Sequence, residues 1–93
     1  MIVGLLTLDL HIYESHSLKE KRLVIKSLID RIKNKFNVSA AEVDANDLWQ
    51  RSVIGIACVS NETVMINKVF DQIKNLIISV HSVKLINATM ELL

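Results

Sequence analysis

The sequence contains no proline, one cysteine and two glycines, and aromatic residues make up only 4% of its 93 positions. The single cysteine, Cys58, excludes an intramolecular disulfide and leaves no CxxC pair for zinc, as is typical of a reducing cytoplasm. With only Gly4 and Gly55 present, the chain has neither a P-loop nor a GxGxxG fingerprint. We therefore predict no cofactor, no metal site and no small-molecule ligand.

The chain length suits one compact domain, and we predict a single domain over residues 1–93. Hydrophobic residues make up 51% of the chain, enough for a core without disulfide or metal staples. The first residues have no basic lead and alternate apolar with polar side chains, which predicts neither a signal peptide nor a membrane span. We expect a cytoplasmic protein.

Residues 17–36 predict a long amphipathic helix. Ser17 and Glu20 have the spacing of a capping box. Apolar residues then recur at helical spacing at Leu18, Ile25, Leu28, Ile29, Ile32 and Phe36. At about 100° per residue, a second row forms beside this stripe, here called the basic row: Lys19, Arg22, Lys26 and Lys33.

Alternating patterns predict strands at 2–13, 38–44, 51–59 and 83–93, and a second helix runs from a cap at Ser60 or Asn61 to about Ser79. We expect Ala41 and Val43 to point inward from the second strand. On the last strand, we expect one face to carry Ile86, Ala88, Met90 and Leu92. The order βαββαβ predicts an α+β, ferredoxin-like sandwich: a four-stranded antiparallel sheet in the order 4-1-3-2, with both helices on one face.

The net charge of +1 conceals an uneven distribution. Residues 17–36 hold seven basic and two acidic side chains, a net charge of +5, whereas the rest of the chain carries −4. A basic helix on an acidic body favours a polyanionic partner. We predict that the basic row contacts RNA or ribosomal phosphate, with Lys21 as an accessory contact. The alternative is a solvated face that keeps the protein soluble.

The sheet face that the helices leave open is expected to be apolar in part, with Val3 and Leu5 exposed, and acidic elsewhere, with Asp9, Glu42 and Asp44. Without exposed aromatic residues it cannot serve as an RNA-recognition-motif platform. Its apolar part instead predicts an interface, most simply that of a homodimer.

The segment around Trp49 is a second candidate interface, since Trp and Arg side chains such as Trp49 and Arg51 are enriched at binding hot spots. The alternative is that Trp49 plugs the end of the core. We expect this connection at the opposite end of the sandwich from Lys19, with Ser60 and Asn61 near the helix start.

Asp9 and His11 point the same way on the first strand and are the best candidates for an acid–base pair. No nucleophile, glycine loop or metal set accompanies them. We therefore predict no catalytic residues and a non-enzymatic protein.

Four segments together resemble the YlxP-like family of small bacterial proteins, a domain of unknown function: HSLKEKR at 16–22, RIKNKFNVSAAEVD at 31–44, DLWQRS at 47–52 and IGIACVSN at 54–61. The resemblance spans the whole chain and implies a ferredoxin-like βαββαβ fold. It also implies genes that often lie beside translation-initiation and ribosome-maturation genes, and hence a link to RNA or ribosomes. It implies no catalytic or ligand residues.

Overall fold

A computed structural model describes residues 1–93 and gives six elements in the predicted order. They are β1 (Ile2–Ile12), α1 (Leu18–Lys35), β2 (Ser39–Asp44), β3 (Arg51–Ser60), α2 (Thr63–Ile78) and β4 (Val83–Leu92). The fold is α+β. The four strands form one antiparallel sheet in the order β2-β3-β1-β4, which is the predicted order counted from the other edge.

The core lies between one face of the sheet and both helices. The even-numbered residues Leu6, Leu8 and Leu10 of β1 are completely or almost completely buried, beside Ile54 and Ile56 of β3. Both helices contribute apolar side chains to the same cluster of 16 residues: from α1 Ile25, Leu28 and Ile32, and from α2 Ile66, Phe70, Ile73 and Ile77. The opposite face, formed by the odd-numbered residues of β1 and β3, has no helix against it and is called the open face below.

The start of α1 follows the predicted capping pattern. Ser17 Oγ accepts a hydrogen bond from the Glu20 backbone N–H at 3.1 Å. The Glu20 carboxylate accepts one from the backbone N–H of His16, one residue before the cap. The second helix is present as predicted, but its predicted cap is wrong, because the N-cap is Glu62, which makes no side-chain capping bond. The hydroxyl of Ser60 instead accepts the Glu62 backbone N–H within the turn that precedes the helix.

The predicted facing of β2 is also wrong. Ala40 and Glu42 lie opposite Ile56 and Ile54, so they point toward the helices, while Ala41 lies opposite Gly55 on the open face. Val43 is 58% exposed, and its methyl groups lie over Gly55. Glu42 takes an inward position because its carboxylate forms an ion pair with the buried ammonium of Lys21.

An irregularity in β4 changes its facing as well. The pairing with β1 shifts between Asp9 and Leu10, which leaves one extra residue, Ile86, on β4. Leu85 therefore takes the inward position opposite Leu10, and Ile86 is 54% exposed instead of buried. Beyond the shift, Ala88 and Met90 keep the predicted inward side, opposite Leu8 and Leu6.

Candidate functional site

The basic row is exposed along its whole length. Lys19, Arg22, Lys26 and Lys33 are all open to solvent on α1. The row spans about 21 Å, because each helical residue rises about 1.5 Å. Of the four, only Lys26 makes an ion pair, with Asp30 at 3.2 Å, and both of those side chains are more than half exposed. Such a surface pair is weak, so the row retains its positive charge.

The row lies on the flank of α1 that overlooks β2, the strand at the edge of the sheet. A cavity of about 320 Å³ between α1 and β2 is lined by Arg22 and Lys26, together with Glu42. The other flank of α1 faces the end of α2, across a groove lined by Leu23, Val24 and Val80. The basic row therefore borders an open sheet edge instead of the second helix.

Lys21 does not belong to this surface. The structure therefore corrects the prediction that Lys21 is an accessory phosphate contact. The residue is 0% exposed, and its ammonium points into the molecule. Nζ donates to Glu42 Oε2 at 2.9 Å, to the Ala45 carbonyl at 2.9 Å and to the Asn46 carbonyl at 3.0 Å. Every ammonium proton has an acceptor, so the charge is satisfied internally.

The sequence contained a signal for this burial. Lys21 stands four residues before Ile25, seven before Leu28 and eleven before Ile32, so it occupies the centre of the apolar stripe. Its partners were missed, because Glu42 was assigned to the open face. Glu42 Oε2 also accepts the Ser52 hydroxyl at 2.6 Å, and Ser52 is itself fully buried. Lys21, Glu42 and Ser52 are called the Lys21 cluster below.

The connection between β2 and β3, residues 45–50, is called the Trp49 loop. Its predicted location at the far end from the helix start is wrong. His11 pairs with Arg51, and Ile2 pairs with Ser60, so the loop sits beside the end of β1, and Ser60 lies at the other end. Gln50 Nε2 donates to the Ser15 carbonyl at 3.1 Å, two residues before the Ser17 cap. The loop therefore adjoins the start of α1.

The backbone of the Trp49 loop is firmly held. Lys21 binds the carbonyls of Ala45 and Asn46, and the Gln50 carbonyl accepts the Ile12 backbone N–H at 2.9 Å. Leu48 closes a turn by donating its N–H to the Ala45 carbonyl. Ala45 has a φ of 59°, in the left-handed region that few non-glycine residues adopt. The surrounding bonds hold it in this conformation.

The indole of Trp49 does not plug the core, because its side chain is 54% exposed. It lines a cavity of about 410 Å³ on the surface together with His11, Leu48, Gln50 and Arg51. Next to the cavity, the ring of His11 meets that of Tyr13 edge to face, with centroids 5.1 Å apart. Tyr13 is also exposed. Three aromatic or imidazole rings thus gather at one end of the sheet.

Asp9 is occupied by Arg51 and does not pair with His11. The guanidinium donates through Nε to Oδ1 at 3.0 Å and through Nη2 to Oδ2 at 2.8 Å, a bidentate contact on the open face. These hydrogen bonds, with the attraction of the two charges, hold the pKa of Asp9 below its ordinary value of 3.8. Both carboxylate oxygens are thus engaged by Arg51, and no hydrogen bond joins Asp9 to His11.

The open face carries a shallow apolar groove. Small residues, Gly55 and Ala57 on β3 and Ala41 on β2, form the floor, and Leu5 and Val43 stand at its sides. Its volume is about 360 Å³. Val3 and Leu5 are half-buried within the face. Trp49 and Arg51 lie at the end of this face and not within the groove, so the two predicted interface regions are neighbours and not one patch.

Two global properties complete the description. Neither helix is both long enough and apolar enough to cross a membrane. No three side chains among the histidines, the cysteine and the acidic residues converge on a point where they could hold a metal ion.

Comparison with known proteins defines the class. Residues 3–90 match the family described as "Protein of unknown function (DUF503)", and the chain belongs to that family. A relative from Bacillus subtilis (strain 168), described as "Uncharacterized protein YlxP", is 45% identical to it over 67 residues. The match covers 72% of this chain and 73% of the relative. The resemblance inferred from the sequence is thereby confirmed.

Proposed function

We propose that the protein binds RNA, in a translation or ribosome-maturation setting, by contacting phosphates with Lys19, Arg22, Lys26 and Lys33. The observation that carries the proposal is the exposed basic row itself. Cations that are aligned on one helix face, with no acidic partner for three of them, form an electrostatic surface for a phosphate backbone. Lys21 is not part of the proposal, because its ammonium is buried.

The proposal includes a non-enzymatic role, a cytoplasmic location and a ferredoxin-like classification of the single domain 1–93. Support for the classification comes from the βαββαβ order and the strand order β2-β3-β1-β4. Support for one domain comes from the core cluster, to which β1, β3, β4 and both helices contribute. Support for a non-enzymatic role comes from the engagement of Asp9 by Arg51.

The test is charge reversal within the row. The triple variant K19E/R22E/K26E should lose binding to ribosomal RNA at low salt, measured by filter retention or fluorescence anisotropy. A matched variant, K35E/K68E/K74E, reverses the same amount of charge at positions outside the row. It should bind within a few-fold of the wild type. Equal loss in both variants would leave only an effect of net charge, and unchanged binding in the first would remove the proposal.

A second candidate function is a homodimer through the open face, and the apolar groove around Gly55 favours it. Four strands spaced about 4.8 Å apart and up to about 34 Å long give a face of roughly 600 Å². Two such faces together would bury about 1,200 Å², the lower limit of specific interfaces. The occupant in this proposal is therefore a second copy of the chain, placed sheet against sheet.

Sedimentation at several protein concentrations tests the dimer. The wild type should show a concentration-dependent increase in mass, and V43E, a charge placed beside the groove, should remain monomeric. V64E adds the same charge to an exposed position of α2 and should behave as the wild type. W49A distinguishes a dimer interface at the Trp49 loop from one at the groove, since only a dimer that uses the loop would be weakened by this substitution. A wild type that is monomeric at all concentrations would contradict the candidate.

A further inference from the structure

We propose that the Trp49 cavity holds an unpaired RNA base, so that the ligand of the basic row is single-stranded and not duplex RNA. This inference rests on the proposed RNA-binding function and specifies its ligand. It starts from the half-exposed indole of Trp49, whose cavity of about 410 Å³ also includes His11 and Arg51. Flat aromatic surfaces are the common platform for bases that are not paired in a helix.

Hydrogen bonds to the backbone of the Trp49 loop hold the indole in place before any ligand binds. The Trp49 loop is tied on one side to Lys21, through the carbonyls of Ala45 and Asn46, and on the other side to Ser15, through Gln50. The loop backbone is thus fixed at both ends, but the indole of Trp49 is left half exposed and does not pack inward. Because the backbone is already ordered, a ligand that covers the ring need not supply that ordering.

The same bonds set the loop beside the start of α1, where the basic row begins. Lys21 contacts the loop, and Arg22 follows Lys21 directly in α1. Lys19 lies four residues after Ser15, which receives the Gln50 side chain. In this proposal, a strand whose phosphates follow Lys26, Arg22 and Lys19 turns around the end of the sheet beyond the helix start, because the cavity residues His11 and Arg51 lie on the open face. A rigid duplex keeps its bases stacked inside and presents none to the indole.

The charges around the cavity indicate which part of the surface binds phosphate and which part binds the base. Asp44 and Asp47 stand at the loop and repel phosphate, whereas Asp9 is neutralised by Arg51. The phosphates are thus expected on α1 and the base on the loop. In this arrangement Asp47→Asn should tighten single-strand binding by a few-fold, because it removes an exposed negative charge near the strand.

The experiment uses the full chain and the emission of Trp49, the only tryptophan. The probes are an oligouridylate of about 12 nucleotides, within the site sizes of small single-strand binding folds, and a blunt RNA duplex of the same length. At low salt the oligouridylate should bind and quench the emission, and the duplex should bind more weakly and leave the emission unchanged.

Variants complete the test. W49A, measured by the anisotropy of a fluorescently labelled oligouridylate because it has no tryptophan, should bind about 5- to 150-fold more weakly, the range for one lost stacked base. W49F, which keeps a flat ring, should remain within about 5-fold of the wild type. I78A removes an exposed apolar side chain from α2 and should have no effect. A W49A protein with an unchanged urea midpoint confirms that the loss does not come from unfolding.

The outcomes separate the two proposals. Binding that depends on Lys19, Arg22 and Lys26, but neither quenches Trp49 nor responds to W49A, would overturn the base site and leave the proposed function intact. Duplex binding as tight as single-strand binding would also overturn it. Failure of either RNA to bind at low salt would overturn the proposed function, and the base site with it.

Discussion

The ammonium of Lys21 lies 2.9 Å from Glu42 Oε2, and this pair accounts for the inward facing of Glu42 on β2. The contact is not local, because the two residues are 21 positions apart in the chain. The pair joins the first turn of α1 to the edge strand of the sheet. The same ammonium also reaches the loop carbonyls, so it is a structural cation that supports a neighbouring surface.

Replacement of Lys21 by methionine should strongly destabilise the fold. Lys21→Met removes one partner of a buried ion pair, which leaves Glu42 without its cation and two loop carbonyls without their donor and typically costs about 3 kcal/mol. The value is at the lower end of the range for buried pairs because Glu42 keeps 15% of its side chain in solvent. Urea unfolding followed by circular dichroism measures the change. Lys26→Met, which disrupts only a surface pair, should change the stability by less than about 0.5 kcal/mol.

A double variant shows whether the stability lost in Lys21→Met comes from the unpaired carboxylate of Glu42. Lys21→Met combined with Glu42→Gln removes both charges and should recover part of the lost stability, since no unpaired charge remains buried. If the double variant is less stable than Lys21→Met alone, the loop carbonyls and Ser52 matter more than the ion pair does.

The Asp9–Arg51 pair should make a small, pH-dependent contribution to stability. The pKa of Asp9 is lowered in the fold, so the folded state binds its proton less readily than the unfolded chain does. The stabilisation is therefore complete above the ordinary value of 3.8 and is lost as the pH falls through the lower folded-state value. We expect the difference in unfolding free energy between the wild type and Asp9→Asn to vanish in acid. Because the Arg51 side chain is 57% exposed and that of Asp9 is 23% exposed, high salt should also reduce this contribution.

The salt dependence of the RNA-binding constant gives the number of phosphate contacts. Four contacts to a single strand give a slope of log K against log salt of about −2.8, because each contributes about −0.7. Lys33→Gln should reduce the magnitude to about 2.1, and Lys74→Gln, on α2, should leave it unchanged. A slope near zero in the wild type would contradict contact with phosphates.

Gly4 and Gly55 should respond differently to a methyl group. At Gly4 a Cβ would overlap Ile66 Cγ2 and lie 3.1 Å from Phe70 ring atoms, inside the core. Gly4→Ala should therefore cost about 1–3 kcal/mol through overpacking. At Gly55 the nearest atom is Val43 Cγ1 at 3.0 Å, on a side chain that is mostly exposed and free to rotate. Thermal unfolding should show a much smaller change for Gly55→Ala.

Periodicity in the sequence was sufficient for the order of elements, and the order βαββαβ then indicated the strand order. The alternation of β1 and the helical stripes of α1 and α2 each point to one buried face, and the core contains those faces. Periodicity failed on β2, where Ala41 and Val43 look like the buried set. The pairing of Glu42 with Lys21 overrides that pattern, and the place of Lys21 in the apolar stripe of α1 does not identify Glu42 as its partner.

The location of the Trp49 loop was within reach of the sequence. In an antiparallel pair the end of β1 must lie opposite the start of β3, so His11 and Arg51 share one end of the sheet. The displaced pairing of β4 was not within reach, because nothing around Ile86 marks an inserted residue. The exposure of Trp49 depends on how Lys21 and Gln50 hold its loop, which again requires the folded geometry.

The position of β2 at the rim of the sheet has a consequence for solubility. An unpaired strand offers its amides and carbonyls to any similar strand, which is how proteins join into ribbons. Here Arg22 and Lys26 stand over that rim. A second molecule that approached with the same rim would bring like charges together, so the helix protects the molecule against its own polymerisation.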